Sequence, residues 1–191
     1  DVYKRQARYL SKNNANISRL TTLEEMFDDV TIFVCVREPM SHVRSLTRQH
    51  QQFLAMHDDD EFARSYMKWI GHFDFGANFK PIDFQGRGGL ADPASADVNF
   101  WLQYWIDAYQ FAHDNTGDRA HFFCYETLFE DPARALAAIA DAAKLENRSA
   151  LISNASKVRA PTTGSAPLSE ADPSLIEAAT DLYKSLKARS L

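Results

Sequence analysis

An α/β fold with a parallel sheet flanked by helices is what this sequence predicts, and three features predict it. Two short apolar runs, Thr31–Val36 and His121–Tyr125, have the composition of strands buried on both faces of a parallel sheet. Amphipathic helical patterns fill the long stretch between them, as a parallel pair requires of its crossover. With 191 residues, 45% of them apolar and 25% charged, the chain suits one compact domain, taken as residues 1–191.

The elements follow in order. Ile17, Leu20, Leu23 and Phe27 recur at helical spacing after Asn16, read as the N-cap, and this helix stops near Asp28-Asp29. The first strand, Thr31–Val36, comes next, with Arg37 at its carboxyl end. Pro39 suits the first turn of a second helix, whose apolar stripe is Met40, Val43, Leu46, Phe53 and Leu54 and whose opposite face carries Ser41, Arg44, Ser45 and Arg48. Asp58 and Glu61 resemble a charged capping box for a third helix that buries Phe62, Tyr66, Trp69 and Ile70. Residues 74–97 show little periodicity and are broken by Gly and Pro, a length of loop that in compact domains is functional or unstructured. Val98, Leu102, Trp105, Ile106 and Tyr109 mark a fourth helix ending near Thr116-Gly117-Asp118. After the second strand, Asp131-Pro132 opens a helix with Leu136, Ile139, Ala140 and Ala143 inward. Residues 155–169 are irregular and rich in Ser, Thr, Pro and basic residues. Asp172-Pro173 starts a last amphipathic helix carrying Leu175, Ile176, Ala179, Leu182 and Leu186.

Composition excludes several functions. A net charge of -5 gives no overall attraction to nucleic acid or anionic membrane, so a bound anion must be held by a local basic cluster. Cys35 and Cys124 lie in apolar runs and are expected to be reduced, buried thiols of a reducing compartment. No apolar stretch approaches the ~20 residues of a membrane-spanning helix and no signal peptide opens the chain, so a cytoplasmic protein without membrane contact is expected. The first residue is Asp1 rather than Met, and residues 1–6 run straight into the middle of a domain, so a truncated or partly foreign N-terminus is expected.

The segment richest in chemistry is Val36-Arg-Glu-Pro-Met-Ser-His-Val-Arg-Ser45. Arg37 can grip a phosphate with two parallel hydrogen bonds, the free N–H groups of the helix start add donors, and Ser45 presents a hydroxyl two turns in. The plain alternative is an arginine closing a strand and serines on a solvated helix face.

That segment resembles the 3′-phosphate-binding motif of the sulfotransferases that use 3′-phosphoadenosine 5′-phosphosulfate (PAPS), commonly Arg-Asp/Asn-Pro with a serine at this spacing; Glu38 is a departure. Two further stretches resemble the family in the same order. One is Lys12-Asn-Asn with Asn16-Ile-Ser-Arg-Leu20, leading to Phe27; the other is Tyr125-Glu-Thr-Leu followed by Asp131-Pro132. Together they cover roughly residues 9–145.

The resemblance implies a three-layer, P-loop-NTPase-like sulfotransferase fold, here lacking its first strand and phosphosulfate loop, that moves a sulfuryl group from PAPS to a hydroxyl or amine of a small-molecule or glycan acceptor without a metal. It assigns the 3′-phosphate to Arg37 and Ser45 and stabilisation of charge near the transferring group to Lys12. Tyr125 would lie against the adenine or simply close a strand; Lys157 and Arg159, near Gly164, would return to the 3′-phosphate or form a solvated basic loop. Relatives place a catalytic histidine where this chain has Asn14, so the base is sought upstream or, as fallbacks, in His50, His57 or His72, where a structural role is the ordinary alternative. Residues 59–76 are the expected acceptor-binding surface. The lysine-containing loop for the 5′-phosphosulfate has no counterpart, since Gly86-Arg-Gly-Gly89 follows no strand, and the chain alone is therefore expected to be inactive. Two rival readings remain: an ATP-using kinase-like P-loop protein, which needs a Gly-Lys-Ser/Thr loop and an acidic magnesium ligand, and a non-catalytic helical interaction module.

Overall fold

The computed structural model describes residues 9–88, 92–160 and 170–191, and its architecture is α/β and mostly helical. Asn13 rather than Asn16 caps the first helical segment, a 3₁₀ stretch Asn14–Arg19 that runs into α1 (Leu20–Met26). The difference is local: the Asn13 carboxamide accepts from the Ala15 N–H at 2.9 Å, so the chain turns three residues earlier than the apolar spacing suggests. β1 (Ile32–Val36) pairs in parallel with β2 (Ala120–Cys124), from Ile32 opposite Ala120 to Val36 opposite Cys124. Between them lie α2 (Pro39–Asp59), α3 (Glu61–Trp69) and α4 (Val98–Asn115), the helical crossover that a parallel pair demands. α5 (Thr127–Glu130), α6 (Pro132–Ala142), α7 (Arg148–Ile152) and α8 (Pro173–Ala188) follow, with Asp131 and Asp172 capping α6 and α8.

The core is organised on α4. Trp101, Leu102, Trp105, Tyr109 and Ala112 are buried at a spacing of three and four residues, and they pack with Val43 of α2, Val34 and Val36 of β1, Phe122 of β2 and Ala179 and Leu186 of α8. Trp105 and Tyr109 lie one turn apart with ring centroids 4.5 Å apart and the rings tilted by 45°.

Four expectations need correction. β1 is buried on one face only, since Val34 and Val36 point into the core while Phe33 and Cys35 are exposed. An apolar run tolerates one open face; nothing in the run itself says whether a second layer covers it. Cys35 is accordingly an exposed thiol, whereas Cys124 is buried, and both are free. α3 does not bury its apolar stripe: Phe62, Tyr66, Trp69 and Ile70 are all exposed. Its cap is Asp60, which accepts from Ala63 N, because α2 runs on through Asp58 and Asp59.

Candidate functional site

β1 ends at Val36, and Arg37 and Glu38 carry the chain from the sheet into α2. Pro39 occupies the first helical position and has no N–H. The Glu38 carboxylate accepts from the Met40 N–H at 2.9 Å and the Ser41 N–H at 2.7 Å, while the Glu38 carbonyl accepts from the His42 N–H at 2.9 Å. The expectation that this helix start offers free N–H donors to an anion is therefore overturned: Glu38 takes them for itself, as acidic N-caps do.

What remains for an anion is side-chain chemistry. The Arg37 guanidinium donates to Ser45 Oγ at 3.4 Å, and Ser45 in turn donates to the Ser41 carbonyl at 3.1 Å. Tyr125 extends the ladder one residue past β2, its N–H bonded to the Val36 carbonyl at 2.7 Å, and the Arg37 guanidinium sits 5.4 Å from the centre of its ring. The fold thus brings Arg37, Ser45 and Tyr125 together at the carboxyl ends of the two strands, where open α/β sheets hold ligands. A guanidinium fork and a hydroxyl converging beside an aromatic face suit one phosphate and a flat ring.

A second set of residues supports this one, and sequence reasoning gave it no role. Glu126 accepts from the Glu38 N–H at 2.9 Å and from the Tyr183 hydroxyl at 2.9 Å, so one carboxylate joins the β1–α2 turn, the end of β2 and α8. Burial, then the hydrogen bond to Glu126, push the Tyr183 phenol far above its ordinary range. Tyr109 donates to the Cys35 carbonyl at 2.7 Å, and burial raises its phenol as well. His42, on the first turn of α2, has its imidazole pushed down to about 4 by burial, with the Arg37 charge acting in the same direction and Glu126 against it. Its Nδ1 is buried without a hydrogen-bond partner among the described residues. The only sequence signal for Glu126 was its place beside Tyr125; His42 and Tyr183 gave none.

The other expected residues lie elsewhere. Lys12 is exposed just ahead of the 3₁₀ stretch. Lys157 and Arg159 are exposed and tied locally, Lys157 to Asn154 Oδ1 at 2.8 Å and Arg159 to the Ser156 carbonyl at 2.7 Å; Gly164 lies outside the described residues. Neither cation contacts Arg37 or Ser45 among the described residues.

Two fallback histidines are structural. His50 accepts from the Gly76 N–H at Nδ1 (3.2 Å), which places its proton on Nε2, directed to the Pro93 carbonyl at 2.8 Å. His57 accepts from the Ala77 N–H at 3.1 Å and directs Nε2 to Met67 Sδ at 3.3 Å. Both imidazoles are pushed down, chiefly by burial. Each has its acceptor nitrogen committed to backbone, so neither can take a substrate proton. His72 stacks on Phe53 with centroids 5.5 Å apart.

The chain matches no protein-family model, no curated protein and no solved structure. No group of His, Cys, Asp and Glu among the described residues could hold a metal ion, and no helix among them is long and apolar enough to cross a membrane.

Proposed function

We propose that this chain carries the 3′-phosphate-binding part of a PAPS-dependent sulfotransferase domain with a three-layer, P-loop-like fold, its acceptor being a hydroxyl or amine. The observation that carries the reading is the convergence of Arg37, Ser45 and Tyr125 at the carboxyl end of a parallel strand pair. Arg37 and Ser45 would grip the 3′-phosphate and Tyr125 would offer its ring to the adenine. Glu38 is the feature least suited to an anion, and its carboxylate is turned away from that role by capping α2.

The chemistry so framed is an in-line sulfuryl transfer driven by positioning and charge neutralisation, as in phosphoryl transfer. Arg37 and Ser45 would anchor the donor by a phosphate that takes no part in the reaction, fixing where its reactive end lies. Lys12 is the residue proposed to neutralise charge at the transferring group. Among the described residues neither strand is followed by a lysine-containing glycine turn, so the reading assigns no 5′-phosphosulfate contacts here.

Calorimetric titration with adenosine 3′,5′-bisphosphate against 5′-AMP tests the proposal. Tighter binding of the bisphosphate is expected. Equal or absent binding of both nucleotides would refute it and return the site to an arginine closing a strand.

A further inference from the structure

Beside its buried stripe, α4 carries a second one. Phe100, Gln103, Tyr104, Asp107 and Phe111 follow one another at helical spacing, all half-buried, and residues 81–88 lie across them. Three contacts fix that segment. The Ile82 N–H donates to the Tyr104 hydroxyl at 3.2 Å, the Phe84 ring lies 5.8 Å from that of Tyr104 and 5.4 Å from that of Phe111, and Arg87 pairs with Asp107 at 3.2 Å. The segment also shapes its own turn. The Asp83 carboxylate accepts from the Arg87 N–H at 3.0 Å and the Gly88 N–H at 2.9 Å, with Gly86 and Gly88 at positive φ. Between segment and helix remains a cavity of about 270 Å³.

The lining says what the cavity would hold. Its walls include the rings of Phe84, Phe100 and Tyr104, and aromatic faces attract cations. Its charged groups are Asp83, Asp107 and Arg87, two carboxylates against one guanidinium. The Gly88 and Arg87 N–H groups hold the Asp83 carboxyl below its ordinary pKa, and that charge meets no cation among the described residues. Asp107 gives Oδ1 to both Arg87 and Gln103 Nε2, at 3.2 and 2.9 Å, while its Oδ2 has no hydrogen-bond partner among the described residues. The Gln103 carbonyl oxygen is equally unbonded among them. Free acceptors beside ring faces, with excess negative charge, suit an ammonium group. The volume falls just under the roughly 300 Å³ at which pockets for drug-sized ligands begin, which limits the occupant to a body of about one ring.

We propose that this cavity binds a small organic ammonium ion on a one-ring apolar body, with Asp107 and Gln103 accepting from the nitrogen and Phe84, Phe100 and Tyr104 enclosing the body. None of Arg37, Ser45 and Tyr125 lines it, so the site stands whether or not the nucleotide reading does.

Amide NMR titration of the labelled chain with 2-phenylethylammonium, 2-phenylethanol and 3-phenylpropanoate, each to about 10 mM, tests the proposal. The three probes share a ring and a short chain and differ in charge. The ammonium should bind at least about tenfold more tightly than the other two, the smallest effect of a charge-assisted hydrogen bond, with shifts centred on residues 82–88 and 100–107. Phe84→Ala should weaken it by about two- to fivefold, the loss of one ring face. Asp107→Asn should erase the preference for the ammonium. Arg87→Gln, at a side chain 56% exposed, removes the competing cation and frees Asp107 Oδ1, so it should tighten the ammonium by about two- to fivefold, the strength of such an ion pair. That variant decides the matter even if Asp107→Asn fails to fold. Equal affinities, no binding, a carboxylate that binds best, shifts centred elsewhere, indifference to Phe84→Ala, a preference that survives Asp107→Asn, or an Arg87→Gln chain no tighter than the original would each overturn the proposal.

Discussion

Replacing Arg37 with alanine separates an anion site from a mere strand terminus. In the folded chain the guanidinium makes one long hydrogen bond, 3.4 Å to Ser45, and one ring contact with Tyr125 at 5.4 Å. A partly exposed cation–ring contact contributes about 0.5–1 kcal/mol, which in a domain of this size shifts the melting temperature by about 1–4 °C. A phosphate gripped by the guanidinium contributes more, because hydrogen bonds to charged groups are worth about 1.5–3 kcal/mol. At 1.4 kcal/mol per tenfold, adenosine 3′,5′-bisphosphate should bind the variant roughly 10- to 150-fold more weakly. Binding of 5′-AMP should change far less. Arg37→Lys should recover only part of the affinity, since an ammonium lacks the planar fork. The assay is calorimetry with the two nucleotides on chain, variant and conservative variant, each first shown to melt within those few degrees. Undiminished bisphosphate binding to Arg37→Ala would refute the reasoning. So would a melting temperature lowered by ten degrees or more, which would make the arginine a structural residue.

Three further outcomes are expected. The buried imidazoles of His42, His50 and His57 are held below their ordinary pKa, so the unfolded chain takes up protons that the folded chain refuses. The stability they permit is present above about pH 6.5 and is lost as pH falls from there toward 4, by roughly 3 kcal/mol for His42 alone; denaturant titrations at pH 7 and 4.5 should show the loss and His42→Phe should reduce it. Gly76→Ala should cost about 3 kcal/mol, since at φ +72° a Cβ would stand 2.7 Å from His57 Nδ1 and 2.9 Å from Phe53 Cβ, while Gly71→Ala, at φ +74° with no neighbour within 4 Å, should cost only the backbone penalty of about 1–2 kcal/mol; paired thermal melts check the difference. Tyr183→Phe removes one of the two groups bonded to Glu126 and should lower unfolding free energy by about 1.5–3 kcal/mol in a urea titration; a change under about 0.5 kcal/mol would show Glu126 resolvated by water.

Much of the scaffold was readable in the sequence because it depends on short-range patterns. The strands follow from β-branched and aromatic runs, α6 and α8 from Asp-Pro starts, and α4 from a three-and-four spacing that the buried Leu102, Trp105 and Tyr109 obey. Arg37 and Ser45 were legible for the same reason, being eight residues apart across a strand end and a helix start. Where the reading failed, the deciding neighbour lay far along the chain or was a competing side chain close by. An apolar face on α3 is no different in sequence from a buried one, and only the surrounding fold leaves it open. Glu38 was read as a departure from a motif, but its carboxylate caps the helix that the motif would have offered to phosphate. Glu126 meets Glu38 from 88 residues away and Tyr183 from 57, a juxtaposition that no local pattern encodes.

The carboxylate of Glu126 also sets an order of assembly during synthesis. A ribosome releases β1 and Arg37 well before the parallel partner of β1, which begins only at Ala120, and the hydroxyl that completes the junction, on Tyr183, comes later still. Throughout that interval Arg37 has its strand and helix but neither Tyr125 nor a fixed turn. Non-local closures of this kind are slow because loop entropy must be lost before any contact is gained. The cluster of Arg37, Ser45 and Tyr125 thus takes its final form only after the segment from Ala120 to Tyr183 has been made, well after the strand and helix that carry Arg37 and Ser45.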